Sequence, residues 1–247
     1  MRFHQSLSIP AAVVAIGIFT PARAQDPSPA ESSSVAAPLV ENSNTPPPPD
    51  KRVFGVFPNN RTTEASYPFA PITAKRKMII AAKDSFDWPV YLTSGLFASL
   101  YQLEDQNHSF GQGMAGYGKR YATAYADQLL GNMMTEGIVP SLLHQDPRYF
   151  RVGVGSTKSR LGKALMQIVV TRTDSGGRMF NFSEWGGNAA AAAISNAYYP
   201  DTRTASDNLQ KLLVACATDA FSNVMKEFWP DVKRRLLRKR GGQETTR

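Results

Sequence analysis

The 247-residue chain has a single cysteine, Cys216. One thiol cannot close an internal disulfide, so stability has to come from a core alone. Histidine is nearly as scarce: there are three, and only His108 and His144 lie beyond the N-terminal segment. An ordinary zinc site takes about three or four N, S or O ligands at set spacings. His144 and Asp146 offer two and His108 a third, but no zinc-motif spacing joins them, and no metal or cofactor is expected. A nucleophile elbow of the G-x-S-x-G type is absent, as is a P-loop. Residues 111–116, Gly-Gln-Gly-Met-Ala-Gly, have half the spacing of a dinucleotide fingerprint but open a helix out of a helical context. Long apolar runs are missing as well. The longest charge-free stretches, residues 88–103 and 185–200, fall short of the roughly 18 residues of a membrane span. No strand alternation is long enough for a β-barrel, and there is no internal repeat.

The N-terminus carries an export pattern. Arg2 precedes an apolar run over residues 7–19, and the small residues Ala22 and Ala24 place a cleavage site before Gln25. Residues 1–24 are therefore expected to be a signal peptide and the working protein to lie in the periplasm or cell envelope. The formal charge is +8; removing Arg2 and Arg23, with no acid lost, leaves +6. Such a surface favours acidic partners: anionic lipid or an acidic envelope component, with nucleic acid set aside by export. Residues 25–52, rich in Pro, Ser, Ala and Glu, are expected to form a disordered linker. Residues 53–71 have aromatics without a helical period, broken by Pro58, Pro68 and Pro71, and suggest an extended arm over the core.

From residue 72 to 240 the periodicity is helical, and 241–247 read as a flexible tail. Thr73 is placed to cap a helix whose Met78, Ile79, Ala82 and Phe86 share a face. Pro89 suits the start of the next, with Leu92, Leu96, Phe97, Leu100 and Leu103. Small residues recur at Gly111, Ala115, Gly118, Ala122 and Ala126, and again at Gly186, Ala190, Ala193 and Ala197, in a helix that Ser183 is placed to cap. These seams suit close helix contact, either in a soluble bundle or in membrane-embedded helices. Asp174-Ser175-Gly176-Gly177 is a turn signal. The last long helix has Leu209, Leu212, Leu213, Cys216, Ala220, Phe221, Val224, Met225 and Phe228 on one face, and Pro230 restarts a short basic helix. Cys216 then reads as a buried structural thiol. The expected fold is mainly α: a compact helical bundle with small-residue helix packing, behind a signal peptide and a disordered linker.

Two segments offer anion or membrane contacts. Arg148 and Arg151 flank Tyr149 and Phe150, which suits an anionic ligand or, equally in kind, a loop anchored by an Arg–carboxylate pair and two buried rings. At the C-terminus Arg234, Arg235, Arg238, Lys239 and Arg240 interleave with apolar residues beside Trp229, as in a basic helix on an anionic surface or a solvated helix end. Carboxylates at Asp87, Glu104, Asp105, Asp127, Glu136, Asp174, Glu184 and Asp219 lie among apolar residues, and Asp219 is expected to pair with an arginine.

The strings at 101–105 (Tyr-Gln-Leu-Glu-Asp), 109–113 (Ser-Phe-Gly-Gln-Gly), 145–150 (Gln-Asp-Pro-Arg-Tyr-Phe), 181–185 (Asn-Phe-Ser-Glu-Trp) and 227–231 (Glu-Phe-Trp-Pro-Asp) resemble an uncharacterised family of exported bacterial proteins, over roughly residues 51–235. The resemblance implies export and carries no activity. The expectation is a non-enzymatic helical envelope protein associated with an anionic membrane surface. The alternative is an exported hydrolase of cell-wall or polysaccharide substrates, with Glu104, Glu136, Asp146 or His144 as its candidates.

Overall fold

The computed structural model describes residues 51–244. The expected signal peptide, nearly all of the expected linker and residues 245–247 lie outside the described residues.

Local chemistry sets the element boundaries of a mainly helical chain. Thr73 Oγ1 accepts from the Arg76 N–H at 3.2 Å and opens α1 (Ala74–Ser85). Asp87 caps α2 (Trp88–Leu103) at 2.9 Å, with Pro89 in the first turn, where a missing N–H leaves no bond unmade. After a short 3-10 turn (His108–Phe110), α3 (Gly113–Asn132) runs through a π-helical segment (Met133–Ile138) into α4 (Val139–Leu142). α5 (Thr157–Val169), α6 (Phe182–Ser195) and α7 (Ala205–Glu244) follow. The cap of α6 is Asn181 rather than Ser183; its Oδ1 accepts from the Glu184 N–H at 3.1 Å.

Short strands tie the loops together. β1 (Arg52–Val53) and β2 (Phe57–Pro58) form a hairpin. β3 (Thr62–Glu64) runs parallel to β5 (Tyr149–Arg151), with Thr63 opposite Phe150, and so fixes the N-terminal arm on the body. β4 (Gln145–Asp146) pairs with β6 (Val170–Thr173), which pairs in turn with β7 (Arg178–Phe180). The turn after β6 holds Gly176 at φ +87°, a conformation glycine adopts without strain.

The break expected at Pro230 does not occur: α7 is one helix of 40 residues with Pro230 inside it. Proline removes one intrahelical bond and crowds the carbonyls of the preceding turn. Here the Glu227 carbonyl accepts from Arg151 Nε at 3.1 Å and from Arg160 Nη2 at 2.8 Å. Two guanidiniums thus anchor the carbonyl next to that of Lys226, the one that Pro230 leaves without its helical N–H.

The larger correction concerns polarity. The apolar stripes expected to form the core mostly face outward. α1 buries Lys77, Ile80, Ala81, Asp84 and Ser85, while Phe86 is 57% exposed. α2 buries Pro89, Val90, Ser94 and Ala98, and leaves Leu92 64% and Leu103 83% exposed. α7 buries Cys216, Asn223, Lys226 and Glu227, with Leu209, Leu213 and Phe221 outside. Among the described residues, buried polar and charged side chains outnumber buried apolar ones.

The small-residue seams are turned the same way. Ala115, Gly118 and Ala122 are exposed, as are Gly186, Ala193 and Ala197. A Cβ placed on Gly118 or Gly186 would meet open space. Close helix packing exists, but at other glycines. A Cβ on Gly187 would lie 3.0 Å from Thr135 Cγ2 and 3.1 Å from the Met134 carbonyl carbon. One on Gly137 would lie 2.8 Å from Met78 Sδ. Both contacts draw neighbouring helices onto the π segment.

Candidate functional site

The π segment is the centre of the molecule's buried charge. Pro140 has no N–H to give the Glu136 carbonyl four residues back, which favours a wider turn at this point. Such turns recur at functional sites, and this one buries Thr135, Glu136 and Gly137. Around it stand Asp84 of α1, Glu184 of α6, Asp219 and Lys226 of α7, and Arg61 of the arm.

Arg61 joins two of the acids. Its Nη1 lies 3.1 Å from Glu136 Oε1 and its Nη2 3.0 Å from Asp219 Oδ1. Asp84 accepts from the Asn60 amide at 2.5 Å, and Glu184 from the Asn188 amide at 3.0 Å. The second Glu136 oxygen, Oε2, is buried with no hydrogen-bond partner. Four carboxyls and two cations would leave a net charge of −2 if all were ionised. Burying that excess is costly, so protons are drawn onto the acids. The Glu136 carboxyl is pushed up to about 8, first by burial and then by Asp84 and Asp219, against Arg61 and Lys226. Glu184 is raised well above the ordinary range by burial and by Asp219. Burial, helped by Arg61, pulls the Lys226 ammonium down to about 8. Burial also works against the Arg61 guanidinium, but Glu136 and Asp219 outweigh it and hold it charged.

A cavity of about 30 Å³ adjoins the cluster, lined in part by Arg61, Thr135, Asp146, Glu184 and Asn223. That is room for water, not for a sugar ring. The arrangement can store and exchange protons; it does not present a substrate cleft.

A second knot holds α7 in place. Glu227 is fully buried, and its carboxylate accepts from Tyr149 Oη at 2.8 Å, Val152 N at 3.0 Å, Gly153 N at 2.9 Å and Arg160 Nε at 2.8 Å. Burial alone would raise this carboxyl, yet those four bonds hold it below its ordinary value.

The residues singled out in the sequence are dispersed. Arg148 grips Asp146 through Nε and Nη2, at 3.0 and 2.6 Å, and its guanidinium lies over Phe150. Arg151 pairs with Glu64 at 3.0 Å. Trp229 packs on Phe54 with ring centroids 4.5 Å apart. Arg234 pairs with Asp231, and Arg234 and Arg235 are exposed. The side chains of Arg238, Lys239 and Arg240 lie outside those described. Of the hydrolase candidates, Glu104 is exposed beside Gln106, His144 is exposed, Asp146 is closed onto Arg148, and only Glu136 belongs to the cluster. His108 sits 2.6 Å from Asp105, and among the described residues no three His, Cys, Asp or Glu side chains gather as for a metal. Cys216 is buried, its thiol pushed up to about 12 by burial. Asp219 pairs with Arg61.

The sequence singles out Glu136, Glu184 and Asp219 but not Arg61 or Asp84, and it groups Lys226 with the basic C-terminal end, whereas the structure buries it in the cluster. A signal existed in α7: Asp219, Asn223, Lys226 and Glu227 recur at helical spacing and define a polar stripe as regular as the apolar one. No family model, curated protein or solved structure matches the chain.

Proposed function

We propose that this is an exported, non-enzymatic envelope protein that lodges its apolar exterior in membrane lipid while a polar, proton-holding core keeps the helices together. The observation that carries this reading is the inverted polarity. Exposed apolar side chains occur on α2 (Trp88, Leu92, Leu96), α5 (Leu161, Leu165, Met166) and α7 (Leu209, Leu213, Phe221) alike. One protein partner covers one face; lipid covers several at once. Each large side chain leaving water gains up to about 1.5–3 kcal/mol. The outward small-residue seams and the exposed Leu236 and Leu237 beside Arg234 and Arg235 fit the same setting. Among the described residues no helix is long and apolar enough to cross a membrane. The insertion proposed is partial, into one leaflet. Export is supported by the signal pattern and by the family resemblance.

The test is fractionation of cells expressing the full chain. The protein should stay with the envelope membranes through a high-salt wash and an alkaline carbonate wash, and leave only in detergent. Recovery in the soluble fraction, or release by salt alone, would overturn lodging by apolar contact.

A further inference from the structure

The corner between α1 and α2 meets the β1–β2 hairpin across an open groove of about 540 Å³. Lys51, Arg52, Asn60, Lys83, Phe86 and Asp87 line it. Arg52 is fixed in place: Nη1 and Nη2 each lie 2.9 Å from an Asp87 carboxylate oxygen, and Nη1 also donates to the Val56 carbonyl at 2.6 Å. Among the described residues Asp87 is the one acidic residue on the lining, and that pair neutralises it. The positive charges of Lys51 and Lys83 remain over the groove. Asn60 gives one amide hydrogen to Asp84 and has a second to give. The positive end of the α2 dipole points to the same place.

Exposed aromatics flank this cationic pocket. Phe86 stands at its edge, and Trp88, 46% exposed, lies 6.0 Å from the Arg52 guanidinium. From Trp88 an outward stripe runs along α2 through Leu92, Leu96 and Leu103, at steps of four, four and seven residues. The helix has 16 residues and is about 24 Å long. A polar, positive head site thus opens directly onto an apolar track.

We propose that this groove binds the phosphate of an anionic phospholipid, whose acyl chains lie along the α2 stripe. The proposal rests on the membrane reading above and names the headgroup chemistry that orients the protein in the leaflet. Lys51 and Lys83 supply charge, Asn60 a hydrogen bond, and Trp88 and Phe86 sit at headgroup depth.

The test is flotation of the full-chain protein with phosphatidylcholine vesicles and with vesicles that also contain phosphatidylglycerol. Wild type should float with both and bind the anionic vesicles more tightly. Lys51→Gln with Lys83→Gln should weaken binding to anionic vesicles by about thirtyfold, the loss expected of two cations near an anionic surface, and leave binding to phosphatidylcholine unchanged. Both lysines are exposed, and circular dichroism checks that the fold is retained. The matched control is Lys75→Gln with Arg178→Gln, exposed residues that lie off α2, α5 and α7; it removes the same charge elsewhere and should change binding by less than about threefold. Inorganic phosphate should not displace the vesicles beyond the effect of chloride at equal ionic strength. Displacement by phosphate would make a free anion the ligand and overturn the lipid assignment. Equal losses in the two double variants, or equal wild-type binding to both vesicles, would overturn the headgroup site alone. Wild type that floats with neither vesicle would overturn the membrane reading and this site with it.

Discussion

Raising the pH from about 5.5 to about 7.5 should destabilise the folded protein, and Glu136 sets the size of the effect. Its carboxyl ordinarily titrates at 4.5 and is pushed up to about 8 in the cluster. Between those values the folded state holds a proton that the unfolded chain has released. Stability is then fully present below about pH 4.5 and falls by about 1.4 kcal/mol per pH unit until about pH 8. Two units within that window amount to about 3 kcal/mol. For a domain of this size that is roughly 6–12 °C in Tm. Glu184, also raised, steepens the fall. Glu227 and Asp231, both held below their ordinary values, are ionised in both states across the window and add no slope. Lys226 acts on the next limb: held down to about 8 from 10.5, it lets stability recover between those values. Scanning calorimetry of the purified protein in non-ionic detergent measures the curve, beside Glu136→Gln, whose slope should be shallower by about 1.4 kcal/mol per unit. A wild-type Tm that is flat or rises from about pH 5.5 to 7.5 would show that the cluster does not hold protons in this way.

Three further substitutions test the packing. Gly187→Ala forces a methyl against the Thr135 and Met134 backbone and should cost about 1–3 kcal/mol, whereas Gly118→Ala points into open space and should gain up to about 1 kcal/mol in helix propensity; denaturant midpoints of the pair separate them, and an equal effect at both would mean that the faces of α3 and α6 are misassigned. Glu227→Gln keeps the shape but removes one of the two carboxylate charges that Arg160 faces, Asp231 holding the other, and should cost about 1–3 kcal/mol by urea unfolding; a loss below about 0.5 kcal/mol would assign the α5–α7 contact to packing alone.

Helix positions were legible because they depend on local chemistry. Thr73, Pro89 and the Asp174–Gly177 turn each act within a few residues of themselves. The sidedness of the helices was not legible. Periodicity in α1, α2 and α7 shows two faces without saying which is inner, and an apolar face turns inward only where water lies outside. The polar stripe of α7 carried the missing information, since Asp219, Asn223, Lys226 and Glu227 make sense together only if something pairs with them. Arg61 was out of reach of any periodic argument. It sits in irregular backbone between two short strands, and its partners lie 75 and 158 residues away. Pro230 misled for a different reason. The rule that proline ends a helix weighs one lost bond, that to the Lys226 carbonyl, while tertiary contacts such as those of Arg151 and Arg160 on the neighbouring Glu227 carbonyl hold the turn in place.

The pairing of β3 with β5 has a kinetic meaning. A chain made from its N-terminus presents Arg61 long before Glu136, and Asp219 later still. The arm has no sheet partner until residues 149–151 exist, and its guanidinium lacks its second carboxylate until the first four turns of α7 have been made. Closing loops of that length carries an entropic cost that local helices do not bear. The helices therefore form early and the arm docks late, locking the charge cluster only after nearly the whole polypeptide is present. Until then the four acids must be kept apart or protonated by other means. The export proposed above would draw on this order, since a chain whose arm docks last completes its fold late.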